Sequence, residues 1–238
     1  MFDFSDRVVI VTGAAGNLGQ AVARAFLAAG ARLVLVDRAA DRLPHLFPEL
    51  AASPDHFLAT SVDLTDAAAV ETMVAEAIRR FGRIDVLVNV AGGWRGGQAV
   101  HDTDLDTWDF LFDLNVRTTV TASRAVIPHM LAQGQGCIVN VAAKAGLEGT
   151  ARNAAYSAAK SAVIRLTESM AAELKKEGIN VNCVLPSTID TPQNREAMPK
   201  ADRSRWVEPE AIADVILFLA SDAARAVQGA AIPVYGRG

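Results

Sequence analysis

The sequence is poor in the residues that mark several specialised classes of protein. Its 238 residues include two cysteines, too few for a disulfide scaffold, and four scattered histidines without metal-ligand spacing. Cys137 and Cys183 lie in apolar runs, so we expect two buried thiols and no metal site. The net charge is −4 and there is no long basic run, which argues against binding to nucleic acid or to an anionic membrane.

Long apolar runs are also missing. No stretch reaches the roughly 18 uncharged apolar residues that a membrane-spanning helix needs. The first residues are acidic where a signal peptide carries basic ones. We therefore expect a soluble, cytoplasmic protein without a membrane partner.

What the chain does contain is a repeated alternation of short β-branched runs and longer Ala-rich segments. The runs are apolar on both faces, which is typical of parallel strands covered by helices. They occupy residues 7–12, 31–37, 56–63, 84–89, 136–142, 179–185 and 230–235, and the helical segments occupy about 17–29, 66–81, 104–132, 153–177 and 208–221. This order predicts an α/β fold, a single doubly wound Rossmann-type domain over residues 1–238 with a seven-stranded parallel sheet.

A glycine-rich turn joins the first predicted strand to the first helix. Residues 12–19 read TGAAGNLG, and glycines at such a junction let backbone amides approach a diphosphate at the helix N-terminus. The predicted diphosphate-binding residues are Gly13, Gly16, Asn17, Leu18 and Gly19.

Polar residues at the ends of the next strands fit the same dinucleotide. Asp37 can accept hydrogen bonds from an adenosine ribose and would repel a 2′-phosphate, which favours NAD(H), while the neighbouring Arg38 leaves NADP(H) possible. The alternative for Asp37 is a turn residue at a strand end. Further candidates around the adenine and along the cofactor are Asp63, Leu64, Asn89, Ala91 and Gly92.

A catalytic pair is predicted on the helix that follows the fifth strand. Tyr156 and Lys160 are one turn apart and share a face of that helix. A lysine ammonium next to a phenol lowers the phenol's pKa, which suits the pair to general acid–base chemistry and to binding a ribose.

Together these motifs resemble the short-chain dehydrogenase/reductase family over essentially the whole chain. The resemblance implies that Asn115, in the segment LNV, belongs to the active site and orders a water. It also implies nicotinamide contacts from the loop after the sixth strand, at Pro186, Thr188, Ile189 and Thr191.

One expected residue is absent. The family places a serine thirteen residues before the tyrosine, where this chain has Ala143. Loss of a donor aimed at a developing oxyanion slows a reaction by orders of magnitude. Either carbonyl reduction is weak here, or the substrate does not need that donor, or a hydroxyl of Thr150, Ser157 or Ser187 replaces it.

The chain resembles the dihydropteridine reductase branch of the family in residues 90–97, 142–150 and 185–206, and that branch also lacks the serine. The leading hypothesis is therefore an NAD(P)H-dependent reductase that transfers hydride to a conjugated heterocycle, a quinonoid dihydropterin, with Tyr156 as proton donor. The alternatives are a carbonyl reductase or alcohol dehydrogenase of the 3-oxoacyl reductase type, and a catalytically silent NAD-binding protein. The predicted substrate contacts are Trp94, Ala143, Lys144 and Trp206.

The oligomeric state follows from the longer helices. Segments 104–132 and 153–177 carry more apolar residues than one face of a sheet can cover. We expect a homodimer or a homotetramer.

Overall fold

The strands pair in parallel into one sheet in a computed structural model, which describes residues 2–237. Within those residues the order is β3-β2-β1-β4-β5-β6-β7. The strands are β1 (Val8–Thr12), β2 (Arg32–Val36), β3 (Phe57–Ala59), β4 (Val86–Asn89), β5 (Gly136–Val141), β6 (Ile179–Pro186) and β7 (Ala231–Val234). The prediction of a Rossmann-type domain with a seven-stranded parallel sheet is confirmed.

Helices cover both faces of this sheet. They are α1 (Asn17–Ala28), α2 (Arg42–Leu46), α3 (Pro48–Ala51), α4 (Ala67–Phe81), α5 (Leu105–Phe112), α6 (Thr118–Gln133), α7 (Ala154–Leu174), α8 (Pro192–Ala197) and α9 (Pro209–Ala220). α1 and α9 pack against one face, and α4, α6 and α7 pack against the other.

The strands predicted to be apolar on both faces are buried on both faces, as β1 shows. In β1, Val9 and Val11 face the α1/α9 layer, whereas Val8 and Ile10 face the α4/α6/α7 layer. All five residues of this strand are buried. Removal of this apolar area from water on both faces is the main favourable contribution to folding.

Local signals set the ends of α4. The Asp66 carboxylate accepts hydrogen bonds from the amides of Ala68 and Ala69, and the helix ends at Gly82, which has a φ of +73°. These are the start and the stop predicted for the segment at 66–81.

Elsewhere the helical predictions need correction. Segment 104–132 is not one regular helix, because a π-helical turn at Asp113–Arg117 separates α5 from α6. Such turns often accompany functional sites, and this one contains Asn115. Helices α2, α3 and α8 were not predicted; all are short, so they have little apolar periodicity.

The fold forms a crevice along the carboxyl ends of the strands. The strand order reverses between β1 and β4, so the segments that follow these two paired strands lead to opposite faces of the sheet. No helix within residues 2–237 combines the length and the apolar character required to cross a bilayer.

Candidate active site

A cleft of about 1440 Å³ lies along the carboxyl ends of the strands. It runs from the glycine-rich turn and Asp37 at one end to Trp94, Lys144 and Trp206 at the other. We call these ends the cofactor half and the substrate half; Tyr156 and Lys160 lie on the wall where they meet. All the predicted site residues line the cleft except Asn89 and Asn115.

Tight backbone packing forms the cofactor half. Gly13 has a φ of +62°, and a Cβ there would lie 2.9 Å from the Cα of Ala91. A Cβ on Gly19 would overlap the carbonyl oxygen of Gly13. Only glycine fits at these two positions, so the turn approaches β4 closely.

The start of α1 suits an anionic ligand. Gly16 is its N-cap, and no side chain in the described part of the chain caps this end. The first amides of a helix have no partner within the helix and carry a partial positive charge. A diphosphate fits a helix start of this kind.

Asp37 is held rigidly at the end of β2. Its carboxylate accepts hydrogen bonds from the amides of Ala15 (3.2 Å) and Ala39 (3.0 Å). The guanidinium of Arg42 donates to the carbonyl oxygen of Ala15 at 2.6 Å and lines the cleft, as does Arg38. Sequence reasoning missed Arg42 because α2 was not predicted.

The predicted adenine-side carboxylate is fixed by its own turn. The amide and the hydroxyl of Thr65 both donate to Asp63, at 2.9 and 2.7 Å. These hydrogen bonds lower the pKa of Asp63, since they favour its ionised form. The carboxylate therefore stays charged and oriented at the cleft wall.

Tyr156 and Lys160 lie on one face of α7, but their electrostatics correct the sequence expectation. The Lys160 Nζ donates to the carbonyl oxygen of Val141 at 2.9 Å and lies 5.9 Å from the centre of the Tyr156 ring. Burial lowers the pKa of Lys160 to about 8 and raises the pKa of Tyr156 to about 12. The expected lowering of the tyrosine pKa is not observed, because the effect of desolvation outweighs the effect of the distant ammonium.

Asn115 lies behind the cleft wall beside Lys160. Its amide accepts a hydrogen bond from the Gly93 amide at 3.1 Å and donates to the carbonyl oxygens of Gly93 and Leu111, both at 3.0 Å. A Cβ on Gly92 would lie 2.8 Å from the Asn115 Oδ1 and 3.2 Å from the Lys160 Nζ. The absent side chain at Gly92 thus leaves a small space that both polar groups face.

Asn89 ends β4, and its side chain does not line the cleft. Its side chain is buried in the sheet and donates to the Asn140 Oδ1 (2.9 Å) and the Ser123 Oγ (3.2 Å). The Asn89 Oδ1 has no hydrogen-bond partner within residues 2–237. The side chain is thus directed into the sheet, and a cofactor contact from the backbone of Asn89 stays a prediction.

The substrate half is formed mainly by side chains from loops. Trp94 is 62% exposed, and its Nε1 donates to the Asn153 Oδ1 at 2.8 Å, while Trp206 is half-buried and also lines the cleft. Of the hydroxyls considered as replacements for the serine, Thr150 and Ser187 belong to residues that line the cleft. The Ser187 hydroxyl donates to the carbonyl oxygen of Tyr235, and the buried Ser157 hydroxyl has no partner within residues 2–237.

Further lining residues had no clear sequence signal. They come from the aperiodic segments and from α5, where single side chains meet only after folding. Besides Arg42 they include Phe110, Leu114, Glu148, Asn194, Met198 and Arg205.

Comparisons with known proteins agree with this geometry. Residues 7–202 match the family model described as short chain dehydrogenase. The chain belongs to the short-chain dehydrogenase family.

Within residues 2–237 there is no cluster of three or more His, Cys, Asp or Glu side chains able to hold a metal ion.

Relatives in this family cover nearly the full chain. The meso-2,3-butanediol dehydrogenase of Serratia marcescens is 38% identical over 98% of this chain and 94% of its own. The 3-oxoacyl-[acyl-carrier-protein] reductase FabG of Thermotoga maritima is 34% identical over 97% of this chain and 96% of its own. The crystal structure of gox2181 superposes with a TM-score of 0.91 at 32% identity, covering 98% of this chain and 95% of the other.

Membership of the short-chain dehydrogenase family fixes the general chemistry. Its members bind NAD(P)(H), act on small molecules and typically form oligomers. The protein is therefore an NAD(P)-dependent oxidoreductase.

Proposed function

We propose that this protein interconverts a ketone and a secondary alcohol with NAD(H). The observation that carries the proposal is one continuous cleft, in which Tyr156 and Lys160 lie between the glycine-rich turn and a pocket lined by side chains. The butanediol dehydrogenase and 3-oxoacyl reductase relatives favour this substrate class over a pterin.

Each part of the dinucleotide has residues suited to it. The turn at Gly13, Gly16, Asn17, Leu18 and Gly19 would hold the diphosphate. The ribose and the adenine would lie against Asp37, Arg38, Asp63 and Leu64, and the chain would pass close to Ala91 and Gly92. The nicotinamide and its ribose would contact Tyr156, Lys160, Pro186, Thr188, Ile189 and Thr191.

Two side chains of α7 would carry out the proton transfer to the substrate. The bound nicotinamide supplies a hydride to the carbonyl carbon in the direction of reduction. Tyr156 donates the proton that completes the alcohol. The Lys160 ammonium lowers the pKa of the phenol when it approaches the phenol oxygen, which favours this donation. Asn115, beside Lys160, would hold a water that returns protons from solvent.

We assign NADH as the preferred cofactor because of Asp37. Its carboxylate is fixed by two backbone amides at the position of a ribose, where a 2′-phosphate would meet a negative charge. Arg38 and Arg42 flank the same place, so NADPH binding is weaker rather than excluded.

A quinonoid dihydropterin is the second candidate substrate. The observation in its favour is the missing hydroxyl at Ala143, since hydride transfer to a polarised conjugated ring need not create an alkoxide. Trp94 and Trp206 line the substrate half and offer flat faces for stacking.

A homodimer or homotetramer is also part of the proposal. Large apolar side chains on α5 and α6 are exposed in the single chain, at Leu105, Phe112, Val120 and Leu131. Exposed large apolar side chains on neighbouring helices are typical of an interface. Light scattering at micromolar concentration tests it, and a monomeric mass would refute it.

The experiment that tests the function is a steady-state assay of NADH oxidation with two substrate panels. One contains short ketones, 3-oxo esters and diketones, and the other contains chemically generated quinonoid dihydropterin. Turnover of ketones supports the leading proposal, turnover of the dihydropterin alone supports the second candidate, and tight NADH binding without either would indicate a silent binding protein.

A further inference from the structure

A cation lies next to the position where the family has its serine. Ala143 is buried in extended backbone and lines the cleft. Lys144 follows it directly and lines the same cleft, with its Nζ 4.7 Å from the centre of the Tyr235 ring. None of the ion pairs formed by residues 2–237 involves this lysine. A donor group thus stands in the substrate half without a carboxylate to neutralise it.

Other nearby donors are less suitable. The Ser187 hydroxyl already donates to the carbonyl oxygen of Tyr235 at 2.9 Å, and the Ser157 hydroxyl is buried in α7 away from the cleft. Ser187 also lines the cleft, but its hydroxyl proton is directed to Tyr235, so the exposed Thr150 on the cleft wall is the main rival among the three hydroxyls considered for this role.

We propose that the Lys144 ammonium replaces the missing hydroxyl and donates a hydrogen bond to the reacting oxygen of the substrate. This inference rests on the proposed ketone–alcohol function. The carbonyl carbon gains a C–H bond from the hydride, the π pair of the C=O bond moves onto the oxygen, and the proton from Tyr156 completes the alcohol. Lys144 stabilises the negative charge on that oxygen before the proton arrives.

The contact with Tyr235 makes this role physically reasonable. A lysine carries its donors on a flexible four-carbon stem, so the ammonium can move from the ring face to a nearby oxygen. A cation–π contact at a partly exposed site is weak and does not trap the charge. A hydrogen bond from a charged donor is stronger than one from a neutral hydroxyl, which suits it to the role of a serine.

The test is a set of variants at positions 143, 144 and 150 in the full-length protein. Lys144→Met should lower kcat for a ketone by about 100-fold, the usual effect of removing one oxyanion donor. Its Kd for NADH should stay within about twofold of the wild-type value, because the lysine lies in the substrate half. The double variant Ala143→Ser with Lys144→Met should regain about tenfold or more in kcat, since it restores a neutral donor.

Two outcomes of this set would overturn the proposal. One is a loss of activity that follows Thr150→Val instead of Lys144→Met. The other is a failure of Ala143→Ser to rescue Lys144→Met, with Tyr235→Leu producing the same loss of melting temperature and activity. That pattern would mean that Lys144 only packs on the tyrosine ring.

A binding measurement keeps this test independent of turnover. Benzoate and benzamide, which differ in charge but little in shape, are titrated calorimetrically into the protein saturated with NAD⁺. Lys144→Met should weaken benzoate binding by about tenfold and leave benzamide binding unchanged. Equal benzoate affinity in both proteins would overturn the Lys144 assignment. A charge-dependent difference in a protein that reduces no ketone would instead show that Lys144 contacts a bound anion but would contradict the proposed function, and with it the role of Lys144 at a reacting carbonyl oxygen.

Discussion

The two halves of the cleft are formed in different ways. In the cofactor half, glycines bring backbone into contact, as at Gly13 against Ala91, and the start of α1 presents amides. In the substrate half, side chains of Trp94, Lys144 and Trp206 come from loops. A backbone-built site accepts few substitutions, whereas a side-chain-built one can change its substrate without changing the fold. The chain keeps the family's cofactor motif yet departs from the family at Ala143.

The largest expected effect lies where the two halves meet. Tyr156→Phe removes the proposed proton donor and should lower kcat by about 10³-fold, within the range for loss of a general acid. NADH affinity should change little, as measured by fluorescence titration. Ser157→Ala, one residue along α7, removes a buried hydroxyl without a partner in the described chain and serves as the control with near-normal kcat. Near-normal kcat in Tyr156→Phe would remove this residue from the mechanism.

A backbone test of the cofactor half comes next in size. Gly13→Ala places a Cβ 2.9 Å from the Cα of Ala91 at a residue with positive φ. NADH affinity should fall by about 10- to 100-fold, because the turn must shift away from β4. Gly134→Ala has a similar φ of +68° with no atom within 4 Å of the added Cβ, so it separates backbone strain from collision. Equal NADH affinities in the two variants would show that close approach is not required.

The one side chain central to the cofactor half is Asp37. Asp37→Ser should weaken NADH binding by about tenfold, through loss of charged hydrogen bonds, and should strengthen NADPH binding. The exposed Asp41→Ser is the matched control, and binding of both cofactors is measured for each protein. An unchanged ratio of NADH to NADPH affinity would disprove the assignment of Asp37 to cofactor choice.

A further expected effect concerns stability rather than turnover or binding, and it is a pH dependence at Lys160. Its pKa is about 8 in the folded protein and 10.5 when unperturbed. Below pH 8 the buried group is charged, and its desolvation destabilises the folded state. Relative to Lys160→Met, the wild type should therefore gain stability as pH rises from 8 to about 10.5. Thermal unfolding across this interval measures the gain. Lys175→Met, at an exposed lysine, should show no such trend, and a flat difference for Lys160→Met would mean that its pKa is not lowered.

Most of the cofactor half could be predicted from the sequence, whereas less of the substrate half could. The turn at 12–19 and Asp37 are local signals, and Tyr156 and Lys160 share a helix face, so spacing alone brings each set together. Arg42 was missed because α2 is too short to show periodicity. The direction of the Asn89 side chain could not be predicted, since only the folded sheet shows that its amide pairs with Asn140. The tyrosine pKa also depends on burial, which no spacing rule conveys.

The central claim is that this cleft transfers hydride between NADH and a substrate that contacts Tyr156. The most direct test supplies NADH with deuterium at both C4 positions and looks for deuterium in the product by mass spectrometry, with the ketone panel as acceptors. Reduction of the dihydropterin forms only exchangeable N–H bonds, so that reaction is followed by the oxidation of NADH. We predict deuterium at the carbinol carbon of a ketone-derived product with the wild type and almost none with Tyr156→Phe. NADH binding without transfer of deuterium to any ketone and without oxidation of NADH by the dihydropterin would contradict the claim.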